Sequence, residues 1–205
     1  MLAALLPILA AAAPAAAPPA APAAPYPGAA LLASFRDGCS DLSSIEAAEA
    51  AAQKAGWELF EPAKDTQLAQ LLGFGMGTAK SLSDDDSTFK TQVRTLHKTI
   101  EGHQAEMMLT GVTSYGTHSL GCRVVDFAAP APLDDAVIAD FAKTAAPDAP
   151  KPQPINAPGV LIALFWEPGL FPGHHKTQIG FVPQDSEMKA ALHLSGINLM
   201  TQLRN

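Results

Sequence analysis

The sequence predicts an α+β domain: a mostly antiparallel sheet of about six strands with two or three helices packed on one face. Three observations carry this expectation. Period-two alternation runs from Thr88 to Phe127, broken only by turn residues, and strand-like runs return between Gly159 and Leu203. Helical periodicity is confined to stretches opening near Ser43, Asp65 and Asp134. The chain holds 2 cysteines, Cys39 ahead of the first helical stretch and Cys122 in the strand-rich middle, so one disulfide would staple helix to sheet.

The first 13 residues, MLAALLPILAAAA, read as the apolar core and small-residue end of a secretory signal peptide, although no Lys or Arg precedes the apolar run. The alternative is an Ala-Pro arm without a targeting role. The run is too short to cross a membrane, and no later stretch approaches the roughly 18–20 apolar residues a span requires. Residues 14–29 form an Ala/Pro-rich linker that favours extended polyproline II geometry. Residues 30–205 then make one domain of ordinary size. A signal peptide with a disulfide predicts a periplasmic or extracellular protein. The net charge of -7, with no two adjacent Lys/Arg residues, argues against nucleic-acid binding.

Ser43-Ser44-Ile45-Glu46 matches a capping box with Ser43 as the cap. Ile45, Ala48, Ala52 and Ala55 follow at helical spacing. Gly56 stops the helix in the left-handed conformation, and Trp57 folds back onto its last turn. Trp57 is expected to pack in the core, the alternative being a ligand-stacking ring. A short strand is expected at 58–61, then a helix from Asp65 to Leu72 ended by Gly73. The alternate glycines of Gly73-Phe74-Gly75-Met76-Gly77 lack the lysine and preceding strand of a phosphate loop and predict a plain loop. Asp84-Asp85-Asp86 lacks the glycine and distal glutamate of an EF-hand and reads as a solvated acidic turn.

Strands from Thr88, Ala105 and about Leu120, turning at Glu101-Gly102 and Ser114–Thr117, predict an antiparallel meander stopped by Pro130 and Pro132. Val137, Ile138, Phe141, Ala142 and Ala145 form the widest helical stripe in the chain. The proline-dense residues 146–158 read as a stiff connector. Gly159 to Trp166, GVLIALFW, predicts a central strand covered on both faces. Lys176 to Val182 is another strand. Ala190 to Leu203 is a last one, with a helical turn from Glu187 as the alternative.

The chemistry-bearing residues are sparse. Closing a loop of about 84 residues between Cys39 and Cys122 should contribute about 4–5 kcal/mol. The rival reading is a nucleophilic cysteine, for which no local signature exists. His97, His103, His118, His174, His175 and His193 show no zinc-site spacing on one helical face, so no metal and no cofactor is expected, although hairpins could bring the first three together. No G-x-S-x-G elbow occurs, and two S-x-x-K matches, Ser87–Lys90 and Ser186–Lys189, lack companion motifs. The most site-like stretch is Trp166 to His175, whose Trp166, Glu167, Phe171, His174 and His175 combine aromatic and titratable groups on a Gly/Pro-framed loop. Its alternative is an ordered loop with Phe171 tucked under the sheet.

The segment Phe35 to Trp57, with F-x3-C, a helix and then A-G-W, resembles small exported bacterial proteins of unassigned activity. The resemblance implies an exported, disulfide-bearing domain and transfers no catalytic residue. The expected function is binding of a protein partner or small ligand in the cell envelope. The alternative is an envelope hydrolase or metal-dependent enzyme that uses Glu167 with His174 or His175.

Overall fold

The computed structural model describes residues 25–81 and 83–204. The expected signal peptide and linker residues 14–24 lie outside the described residues. The chain forms α1 (Gly28–Cys39), α2 (Ile45–Lys54), β1 (Glu58–Leu59), α3 (Gln67–Ser81), β2 (Lys90–Ile100), β3 (His103–Ser114) and β4 (Thr117–Asp126). It continues through α4 (Asp135–Ala145), β5 (Gln153–Ala157), β6 (Leu161–Trp166), β7 (Lys176–Val182), α5 (Glu187–Leu192) and β8 (Gly196–Arg204). The strands make one antiparallel sheet of 8 strands in the order β1-β2-β3-β4-β8-β7-β6-β5. The α+β class stands. The counts are larger than the sequence suggested, and the helices cover both faces rather than one.

The topology follows from turn chemistry. Glu101-Gly102 and Tyr115-Gly116 take positive φ at both central positions, 49° and 89°, then 48° and 75°. That is the handed turn whose twist matches paired strands, and β2-β3-β4 therefore form the expected meander. The chain then crosses to the far edge through α4 and walks back as β5, β6 and β7. After α5 it inserts β8 between β7 and β4. β5 lies in the stretch expected to be a connector. Its Pro154 is tolerated because β5 pairs with β6 alone, at the sheet edge. β6 is consequently second from the edge, not central, and its Ile162 is 40% exposed.

Helices α1, α2 and α4 cover one face. Leu31, Leu32 and Phe35 of α1, Ala48 and Ala52 of α2, and Ile138 and Phe141 of α4 pack on Leu109, Leu120, Val124 and Leu199 of the sheet. Alanine on α2 permits close approach, and Trp57 supplies bulk: it is buried, with Nε1 donating to the Ser34 carbonyl at 3.4 Å. The end of α2 is the expected Schellman cap, with Gly56 N–H donating to Gln53 O and Trp57 N–H to Ala52 O. Its start shifts by one residue. Ser44, not Ser43, accepts from Ala47 N–H at 3.0 Å, because Ser43 is held by the Asp41 carboxylate.

Helix α1 was not legible as a helix, since its start carries no side-chain cap and merges with the Ala-rich linker. It begins before the expected domain start at Ala30. Ahead of it, Tyr26 donates to the buried Asp126 carboxylate at 2.8 Å, and His103 Nδ1 lies 3.4 Å from the same oxygen. The Cys39–Cys122 disulfide joins the end of α1 to the centre of β4 with a Cα–Cα distance of 5.6 Å.

On the opposite face α3 packs Leu68 and Leu71 against Met108 of β3, Val125 of β4, Val182 of β7 and Leu194. Gly73 does not stop α3, which runs on through Gly75 and Gly77 to Ser81. The expected loop is therefore helical, although beyond Leu72 no residue of α3 is buried.

Candidate functional site

The loop between β6 and β7 places its five candidate residues in two groups. Trp166 is buried beneath the helical layer. Phe171 joins Phe35 and Phe141 at centroid distances of 5.5 and 6.4 Å. His174 is buried edge-on to Phe171, and its Nδ1 lies 2.7 Å from Thr201 Oγ1. Burial lowers the His174 pKa, opposed by a hydrogen bond with the Ser40 backbone and by the Asp41 charge. The ring thus links the end of α1 to β8 beside the disulfide. Glu167 and His175 instead meet on the exposed surface, with 3.4 Å between Oε1 and Nε2. The loop brings Phe171 to His174 and Glu167 to His175, but the first pair is taken up by packing.

The other histidines are dispersed. His103 faces Asp126, His118 Nδ1 lies 3.1 Å from Thr113 Oγ1, and His97 contacts Gln104 on the outer hairpin. Antiparallel register puts His103 and His118 at opposite ends of the β3–β4 ladder. Among the described residues no three His, Cys, Asp or Glu groups converge to hold a metal ion.

Glu167 and His175 line a surface depression with Tyr115 and Lys176, and a more apolar cavity lies elsewhere, between the second sheet face and helices α3 and α5. Its volume is about 500 Å³, within the roughly 300–1,000 Å³ common for small-ligand sites. The floor is one cross-strand row: Met108 of β3, Arg123 of β4, Met200 of β8, Gln178 of β7 and Phe165 of β6 are successive register partners. The next row adds Thr110, Gly121 and Gln202. Leu71, Phe74 and Met76 of α3 form the roof, and Met188, Leu192 and Leu194 close one side.

Gln92, Thr110, Arg123, Gln178, Asn198 and Gln202 are the polar members of the lining, and two of them, Arg123 and Asn198, are poorly partnered. Arg123 has no acidic partner within ion-pair distance among the described residues, and its one side-chain hydrogen bond goes to the Met200 thioether at 3.3 Å. Burial lowers the guanidinium pKa, with no opposing effect from an acidic neighbour. Arg123 keeps intermediate exposure, and it lines the cavity. Asn198 is 1% exposed, lines the same cavity, and its Oδ1 has no hydrogen-bond partner among the described residues.

Gly121 keeps the floor open beside Arg123. A Cβ there would stand 2.9 Å from Thr110 Oγ1, tighter than side chains tolerate. Arg123 belongs to none of the residue patterns singled out from the sequence. The available signal was a single basic residue in the otherwise apolar run Leu120–Val125, two residues after a glycine.

No protein-family model, curated protein or solved structure matches this chain.

Proposed function

We propose that this chain is an exported, disulfide-stapled domain that binds a small, largely apolar ligand in the cavity between its sheet and helices α3 and α5. The observation that carries the reading is the contrast between the two sheet faces. Under α1, α2 and α4 the core is continuous, with Leu109, Leu120 and Leu199 at most 1% exposed. The other face leaves about 500 Å³ open over Met108, Met200 and Phe165. Native interiors are close-packed, and an unfilled apolar space forfeits dispersion contacts along its whole lining. A ligand that fills it recovers them. The disulfide supports residence in an oxidising compartment such as the periplasm or the extracellular space.

The test uses N-phenyl-1-naphthylamine, a neutral probe whose fluorescence rises in apolar surroundings. The expected result is saturable binding to one site. Met200→Trp, which fills the floor, should abolish it while circular dichroism stays unchanged. Absence of binding, or binding indifferent to Met200→Trp, overturns the reading.

A further inference from the structure

We infer that the ligand of this cavity is an anionic amphiphile, with one small oxyanion head seated on Arg123 and an apolar tail under α3 and α5. The inference rests on the cavity reading above and adds the chemistry of the head group. A guanidinium set among thioethers and aliphatic side chains presents five fixed donors, of which the protein engages one, weakly, through Met200 Sδ. Such a group is matched by a planar or tetrahedral oxyanion, which takes two parallel N–H donors at once.

The surroundings of Arg123 fit that occupant. Gly121 is its chain neighbour two residues back along β4, on the same face, and the missing side chain leaves room beside the guanidinium. Gln178 lies on the same row as Arg123 and Thr110 and Gln202 on the adjoining one, and all three offer uncharged donors in the same cavity. Among the described residues no carboxylate lines the cavity itself, and Glu106 of β3 stands one row away on the same face. On the other side of Arg123 the lining turns to Leu71, Met108, Leu192 and Leu194, which suits a hydrocarbon tail. Methionines at both flanks of the arginine fit tails of varied shape, because their unbranched side chains repack easily. Asn198 Oδ1, buried and without a partner among the described residues, is the acceptor for a hydroxyl or amide carried near the head.

The experiment titrates the full protein with dodecanoate and dodecyltrimethylammonium below their micelle concentrations and with dodecanol below its solubility limit, by calorimetry and by displacement of N-phenyl-1-naphthylamine. Dodecanoate should bind tightest and the cationic analogue weakest. Arg123→Met should weaken dodecanoate roughly ten- to hundredfold, as expected for loss of a charge-assisted contact, and leave dodecanol within about twofold by retaining the apolar walls. Arg123→Lys should recover part of the loss, and thermal melts check that both variants fold. If dodecanol binds as well as dodecanoate, or Arg123→Met weakens both alike, the head-group assignment fails while the cavity reading stands. If none of the three binds or displaces the probe, both fail.

Discussion

Replacing Arg123 by methionine is expected to stabilise the ligand-free fold by about 1–3 kcal/mol. The arginine is half-buried, its pKa is lowered by burial, and among the described residues no carboxylate lies within ion-pair distance. Its hydrogen bond to Met200 Sδ at 3.3 Å is to a weak acceptor. Burying an unpaired ion costs several kcal/mol, on the order of what remains after local relaxation. Here the cost is reduced because Arg123 retains intermediate exposure and lines a cavity that admits water. Methionine removes the charge, keeps an unbranched side chain of similar reach, and meets Met108 and Met200 on the same row. Urea unfolding followed by circular dichroism measures the difference. With a slope of about 2 kcal/mol per molar, the midpoint should rise by roughly 0.5–1.5 M. The matching rise in Tm is about 2–4 °C per kcal/mol for a domain of this size. A midpoint that falls by the equivalent of about 1 kcal/mol would refute the reasoning, because the guanidinium would then be making contacts the fold needs. A variant that gains stability and loses anion binding carries the signature of a residue retained for function.

Reducing the Cys39–Cys122 bond, or replacing both cysteines by serine, should lower unfolding free energy by about 4–5 kcal/mol, since the bond closes a loop with a sequence separation of 83; paired urea curves with and without reductant measure this. His174 should make stability fall on acidification. Burial holds its folded pKa below the ordinary 6.5, so the unfolded chain takes the proton first and stability is lost as pH drops from that value towards the folded pKa. His174→Gln should flatten the part of the stability–pH curve that lies below the ordinary histidine pKa of 6.5, and an unchanged slope would count against the burial argument. Changing Gly73, Gly75 and Gly77 of α3 together to alanine should stabilise that helix by roughly 0.5–1 kcal/mol per site, because a Cβ at each meets nothing within 4 Å. Amide hydrogen exchange should slow along residues 73–81, and exchange at or above the wild-type rate would contradict it.

The two hairpin turns of the first meander were legible because their chemistry is local. Each couples a glycine to a residue that must take positive φ, and the flanking period of two points alternate side chains to opposite faces. The α2 helix declared both ends for the same reason, with a serine cap, Gly56 and Trp57 close together in sequence. Two cysteines left one intramolecular pairing, which is the one that forms. Local signals failed where they were weak or contradicted by context. Helix α1 has no side-chain cap, and α3 passes through three glycines that ordinarily disfavour a helix, its first turns held instead by Leu68 and Leu71 on the sheet. Pro154 marked the last connector as irregular, although an edge strand accepts it.

The sequence by itself therefore determined the α+β class, the first meander, the capped helix and the disulfide, each set by interactions within a few residues or by a count. Tertiary structure alone decided where a ligand could lie. Met108, Arg123, Gln178 and Met200 are spread over the chain and become neighbours only through the register of four strands. Whether Arg123 meets a carboxylate, water or an empty apolar cavity depends on which helices cover that face, and no local pattern along β4 encodes it. The burial of Phe171 and His174 was decided in the same way, by α1 and α4 arriving from distant parts of the chain to cover them.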